Sequence, residues 1–198
     1  GSLSLLPQIV DSVSIHGPGA ELLAVGDNSV FSIFTVSGSS SSRVQVELSG
    51  LTLRNSSQAI HAVAYAEVVA SNVVISGNSP GLPAINVGGL GTLQLIDSTV
   101  SDNQGGGIYS RGDTQIIGST IWSNSGTDGG GIVNDNGTLT ISNSTISGNE
   151  AAESGGGLHH RGTMGTTTLL NVTITDNRAD ADGDGSGQGG GMFISANG

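Results

Sequence analysis

One phrase recurs along the chain: an aliphatic residue, two residues that are mostly small or polar, then asparagine. It reads Val100-Ser-Asp-Asn103, Ile121-Trp-Ser-Asn124, Ile146-Ser-Gly-Asn149 and Ile174-Thr-Asp-Asn177, with Ile75-Ser-Gly-Asn78 and the shorter Leu53-Arg-Asn55 upstream. The asparagines at 55, 78, 103, 124, 149 and 177 stand 23, 25, 21, 25 and 28 residues apart. That period is the mark of a solenoid, in which each repeat is one coil and buries its apolar face only by stacking on its neighbours. A second phrase falls between successive asparagines: Gly105-Gly-Gly-Ile108, Gly129-Gly-Gly-Ile132, Gly155-Gly-Gly-Leu158 and Gly189-Gly-Gly-Met192, with Ala59-Ile60 and Ala84-Ile85 as weaker versions.

Between the phrases the chain alternates, as in Thr138-Leu-Thr-Ile141, the period-2 signature of a half-buried strand. The expected class is all-β: a single-chain parallel β-helix with coils of about 21–28 residues, each running strand, turn, strand, turn, strand. Coils about 4.8 Å apart put equivalent residues in rows. Val100, Ile121, Ile146 and Ile174 are expected inside, with Thr99, Thr120, Thr145 and Thr173 outside. Asn55, Asn78, Asn103, Asn124, Asn149 and Asn177 are expected to form a structural ladder, each amide donating to the coil on one side and accepting from the other. The same reading sets aside the glycosylation sequons at Asn55, Asn143 and Asn171 as regular coil positions. The triple glycines are read as corners where close packing forbids a Cβ, since a phosphate loop would require a lysine and a following helix.

Composition narrows the partners. The 34 glycines lack a three-residue period, which excludes a collagen helix, and 11% charged residues is too few for a disordered tail. A net charge of −11 with no lysine argues against nucleic acid and anionic membranes as partners. The absence of cysteine excludes disulfides and thiolate metal sites. No apolar run is long enough for a membrane span. Gly1-Ser2 reads as a cloning remnant. Residues 1–42 lack both phrases but still alternate, and are expected to be diverged first coils or a cap. Residues 43–198 are expected to be regular coils cut off at the C-terminal end, where Ser195-Ala-Asn-Gly198 matches Asn134-Asp-Asn-Gly137, the whole being one continuous domain.

Asn143-Ser-Thr-Ile-Ser-Gly-Asn149 followed by Gly155-Gly-Gly-Leu158, with Gly17-Pro-Gly-Ala20 and Leu48-Ser-Gly-Leu-Thr-Leu-Arg-Asn55, resembles the right-handed β-helix repeat proteins of bacterial surfaces. The pairing of the two phrases is similar to the polymorphic outer membrane proteins, which are autotransporter adhesins. The resemblance implies a right-handed, pectate-lyase-like solenoid in an extracellular or cell-surface setting of a bacterium. It is specific for architecture and leaves activity open, because such folds carry adhesins and polysaccharide lyases alike.

Several residue groups could carry chemistry. Asp180-Ala-Asp182-Gly-Asp184-Gly185 matches the first half of a calcium loop, in which alternate carboxylates converge on a hard cation. The twelfth position is Gly191, so Asp176 or water would have to complete the shell. A solvated acidic turn explains the same residues without metal, and both readings stand. Arg111-Gly-Asp113 spells an integrin tripeptide, yet occupies the turn that reads Asp135-Asn-Gly137 and Arg161-Gly-Thr163 in the next coils. A charge ladder through Arg111, Asp135 and Arg161 is expected there. His159-His160 could supply a base or metal ligands, but neighbours on a strand face opposite ways. His159 is expected in a row with Tyr109, Val133 and Phe193. Asp102, Glu150 and Asp176 are the acids a glycosidase could use, and Arg178 is the base a lyase could use.

No set of residues forms a convincing active site, and none is assigned as catalytic. The expected function is a non-enzymatic surface or secreted module, an adhesin segment or spacer, stabilised by calcium at its insertion. Its partner would be a host or matrix receptor or a polysaccharide. The alternative is a carbohydrate-active enzyme, which an exposed groove lined by acids, an arginine and aromatic platforms would favour over a smooth prism.

Overall fold

The computed structural model describes residues 8–26 and 29–195. Gly1-Ser2 and the last three residues matched to the turn at 135–137 lie outside them. One coil serves as the pattern: strands Thr92–Ile96, Thr99–Ser101 and Ile108–Ser110, separated by corners. Each strand pairs in parallel with its equivalent one coil earlier and one coil later. Three seven-stranded parallel sheets result, and no helix occurs among the described residues. We call them the long-strand face (Val13–His16 to Thr166–Leu170), the short-strand face (Ala24–Val25 to Thr173–Thr175) and the glycine-led face (Ser29–Val36 to Met192–Ser195). The first strand of each face lies upstream of Ser42 and pairs in parallel with the next, with a register shift between Ser29 and Ser32 on the glycine-led face.

Alternation becomes columns. On the short-strand face Leu53, Ile75, Val100, Ile121 and Ile146 stack fully buried and Ile174 continues the row, while Thr99, Thr120, Thr145 and Thr173 pair on the other side. On the long-strand face Leu48, Ala70, Leu95, Ile116 and Ile141 do the same, with Leu169 next in the row. Each large aliphatic side chain removed from water in this way contributes about 1.5–3 kcal/mol, which is the main term holding a prism with so few aromatics.

The corners are columns too. Between the long- and short-strand faces sit Gly50, Asn72, Asp97, Gly118, Asn143 and Asn171, all with φ between 47° and 62°. Between the short-strand and glycine-led faces sit Asn55, Gly77, Asp102, Ser123, Gly148 and Asp176, with φ between 55° and 64°. A left-handed backbone turns the chain sharply and favours glycine, asparagine and aspartate, which is why those residues recur. The residue after each left-handed corner points inward, and there the buried polar ladders run.

Asn78, Asn103, Asn124, Asn149 and Asn177 form the asparagine ladder. Each Nδ2 donates to the Oδ1 of the next, at 2.8, 2.8, 3.0 and 2.9 Å. The same Oδ1 atoms accept the backbone N–H of the preceding asparagine. From Asn103 onward each Nδ2 also donates to a carbonyl one coil back, on Ile75, Val100, Ile121 or Ile146. Asn55 is not a member. It is the exposed left-handed corner residue, in line with Gly77, and Ser56 takes the ladder place, its Oγ donating to Asn78 Oδ1 at 2.7 Å. Asn143 and Asn171 likewise hold exposed left-handed corners. A second ladder, of serines, fills the other corner. Ser98, Ser119 and Ser144 are buried, each Oγ accepts the N–H of the residue one coil back and donates to the carbonyl two residues earlier.

The third glycine of each triple has a packing cause. A Cβ on Gly107, Gly131 or Gly157 would stand 2.5 Å from the carbonyl oxygen of Gly131, Gly157 or Gly191 in the next coil, and press on the ladder amide beside it. No side chain fits between coils at that place.

Candidate functional site

Register fixes what shares the outer side of the glycine-led face. Tyr109, Val133, His159 and Phe193 form one row, and Ser195 pairs with Arg161, which pairs with Asp135. Ser195 therefore lines up with Asp135, one residue away from its sequence match to Asn134. The histidines do face opposite ways. His160 turns inward, its Nδ1 3.2 Å from Asn134 Nδ2 and 2.9 Å from Thr167 Oγ1. His159 turns outward yet is only 6% exposed, because the Asp128 loop, Gly155 and the Phe193 ring at 5.2 Å close over it.

The expected charge ladder is present and holds more than its three members. Arg111 Nε donates to Asp135 Oδ2 at 3.0 Å, and Arg161 reaches the same oxygen at 3.4 Å. The Tyr109 hydroxyl donates to Asp135 and accepts from Arg161, while both guanidinium groups lie 5.3 and 5.6 Å from the Tyr109 ring. Burial works against the Asp135 carboxylate, but the Tyr109 and Arg111 hydrogen bonds and the Arg161 charge hold it below the usual carboxylate range. Burial, reinforced by Asp135, pushes the Tyr109 phenol up. Arg111 is thus engaged with its own coil neighbour, as the structural reading of the Arg-Gly-Asp turn requires.

Asp128 extends the cluster. Its carboxylate lies 3.6 Å from Arg161 and 3.2 Å from His159 Nδ1, whose partner nitrogen Nε2 is 3.0 Å from Ser195 Oγ. Burial lowers the His159 pKa despite the opposing pull of Asp128. A recess of about 200 Å³ opens beside this group, lined by Tyr109, Asp128, Val133 and Arg161 among others. Asp128 and Ser195 had no sequence signal of their own: Asp128 lies in the segment whose length varies between coils, and folding over His159 is a tertiary event.

The acidic insertion forms a compact loop. Asp180, Asp182 and Asp184 each offer a carboxylate oxygen within 4.8 Å of the others. Gly183 and Gly185 take positive φ, and the loop amides of Gly185 and Ser186 donate to Asp180 and Asp184 at 2.9 and 2.8 Å. The Ser186 hydrogen bonds lower the Asp184 pKa. Asp176 is not of the group. It holds a left-handed corner, and Gly191 stacks on Gly157 in the glycine column. Arg178 spans the base of the loop, its guanidinium near the carbonyls of Asp180 and Ala181.

Beside the asparagine corner two recesses of about 470 and 400 Å³ share Gln104, Ser125 and Glu150. The first adds Asp182 and the second Asp102, so acids are present, but neither lining includes an arginine or an aromatic ring. Trp122 stands exposed on the short-strand face instead, outside both linings. Among the described residues no helix is long and apolar enough to cross a membrane.

A family model described as a right handed beta helix region matches residues 27–198. No curated protein and no solved structure matches the chain.

Proposed function

Because the chain belongs to the right-handed β-helix family, we propose that its principal role is that of a stiff extracellular module, an adhesin segment or spacer of a bacterial surface, which holds variable turns at fixed intervals. The observation that carries this reading is the reciprocated ladder from Asn78 to Asn177, which ties successive coils at their inner corner. A rod whose coils are all committed to packing recognises partners through its turns. The recesses beside that corner are acidic and without aromatic platforms, and the recess of about 200 Å³ that does join an acid, an arginine and a ring has Asp128, Arg161 and Tyr109 already engaged in the charge cluster, which favours display over polysaccharide cleavage. Suitable partners are a surface receptor or a neutral or cationic polysaccharide.

The acidic insertion is the part of this reading that takes calcium. Three carboxylate oxygens within 4.8 Å, on a loop with left-handed glycines, suit a hard cation that water completes. Calorimetric titration tests it, with unfolding followed in calcium and in chelator. Saturable binding that raises the unfolding temperature of the wild type, and is lost in Asp182→Ala with Asp184→Ala, is expected by mass action on the folded state. Equal unfolding temperatures in calcium and chelator would reduce the insertion to a solvated loop. Turnover on a panel of acidic and neutral polysaccharides would favour the carbohydrate-active alternative.

A further inference from the structure

We propose that Asp128, His159 and Ser195 form an acyl-transfer relay on the outer side of the glycine-led face, with Ser195 Oγ the nucleophile toward short-chain esters. This goes beyond the display role and uses none of the residues of the acidic insertion. The carrying observation is the order of contacts through one imidazole. Nε2 lies 3.0 Å from Ser195 Oγ and Nδ1 lies 3.2 Å from Asp128 Oδ1. A base on one ring nitrogen and a carboxylate on the other is the arrangement that activates a serine hydroxyl.

The sheet places these groups. Ser195 is one coil beyond Arg161 in register, two residues along from the His159 row, so its side chain and that of His159 share the outer side. The Asp128 loop supplies the third group from the corner before Gly129. The His159 ring packs on Phe193 at 5.2 Å, and a Cβ on residue 155 would collide with His159 Cβ and with the Leu158 carbonyl. At 6% exposure its Nδ1 has no aligned hydrogen-bond partner, and Asp128 is the carboxylate that faces it. Such contacts commonly align only when substrate binds. Burial lowers the imidazole pKa and so favours the neutral ring, the form that accepts a proton. The charged and titratable groups around it are Asp128, Arg161 and His160; Asp128 and Arg161 also line a recess of about 200 Å³ whose lining includes neither His159 nor Ser195, so an ester would reach Ser195 Oγ from the outer side of the sheet.

The chemistry balances within these residues and water. Ser195 Oγ bonds to the ester carbonyl carbon as its proton passes to His159 Nε2, and the negative charge collects on the carbonyl oxygen. Collapse breaks the ester C–O bond, and the leaving alkoxide takes the proton from Nε2. Water, deprotonated by the same nitrogen, then attacks the acyl carbon, the Ser195 Oγ–acyl bond breaks as Oγ takes the proton back from Nε2, and the carboxylic acid is released. Asp128 is a positioning residue, orienting the ring and stabilising the imidazolium.

The test uses a fluorophosphonate reagent and p-nitrophenyl acetate on the whole chain, with peptide mapping of the label and thermal unfolding of each variant. Label confined to Ser195 is expected, with a rate about 10²–10⁴-fold lower in His159→Gln, the range general-base assistance supplies. In Asp128→Asn the rising limb of the labelling pH profile should move to lower pH, because that carboxylate raises the His159 pKa. Label spread over other serines, or an unchanged rate in folded His159→Gln, overturns the proposal. Should His159→Gln fail to fold, an unmoved pH profile in Asp128→Asn overturns it equally.

Discussion

All three corners of the prism bury polar side chains, and two of them do it in contrasting ways. At the asparagine corner Asn103, Asn124 and Asn149 each meet asparagine in the coils on both sides, so donors and acceptors match in number and direction. At the corner where the glycine-led face gives way to the long-strand face, the inward row begins aliphatic with Ala62 and Val87, then turns to Ser110, Asn134 and His160. The facing row changes with it, from Val68 and Leu93 to Thr114, then Leu139, then Thr167. Ser110 bonds Thr114 at 2.8 Å, and Asn134 Nδ2 reaches Thr166 O, Thr167 and His160, but Asn134 Oδ1 is buried without a donor. Burial of a polar group is favourable where the repeat supplies its complement and costly where it does not.

The largest effect should come from the middle of the ladder. Asn124→Ala leaves the Asn103 backbone and side-chain donors without Oδ1, and the Val100 carbonyl and Asn149 Oδ1 without Nδ2. A loss of about 3–5 kcal/mol is expected by denaturant unfolding, from stranding several buried groups at once. A loss under about 1 kcal/mol would show that the ladder is decoration on an aliphatic rod. The opposite corner should respond in the opposite sense. Asn134→Val and His160→Val with Thr167→Leu carry the residues found at Val87 and Leu139 into this corner, and stability within about 1 kcal/mol of wild type, or above it, is expected because the mutually bonded partners become apolar together. A large loss would mean that this corner is as reciprocal as the other.

The smallest effect is a pH slope on the outer side of the same strand. The folded His159 pKa lies below 6.5, so the unfolded chain binds the proton first. Stability is full above pH 6.5 and falls as pH drops from there through the folded pKa. His61 is lowered by burial and adds to the same slope. His159→Gln should therefore flatten part of the loss below pH 6.5, measured as unfolding free energy against pH, and leave the alkaline side unchanged. The depressed Asp135 carboxylate acts in a separate window, its contribution disappearing only as pH falls below 3.8.

Much of this was legible in the sequence, for a physical reason. A parallel coil repeats the same environment every turn, so alternation and the aliphatic-to-asparagine spacing fix the inner columns directly. Asn55 misled because Leu53-Arg-Asn55 is one residue shorter than Ile75-Ser-Gly-Asn78: the asparagine there serves the left-handed corner, for which asparagine is equally suited. The serine ladder escaped notice because Ser98, Ser119 and Ser144 resemble the hydroxylated residues of any exposed strand. The meeting of Asp128 with His159 was illegible, since it depends on how one variable segment folds over a strand rather than on the repeat.

The rungs of the asparagine ladder are separated by 25, 21, 25 and 28 residues in sequence, yet the hydrogen bonds between them keep one length to within 0.2 Å. The scaffold tolerates unequal lengths of chain without losing its pitch. The long stretch between Asn177 and Gly189 leaves the trunk after one ladder rung and returns to it at the next glycine column. For protein engineering this is a docking port: a foreign peptide spliced between rung and glycine would be presented sideways at a chosen height, with the trunk unaware of its length.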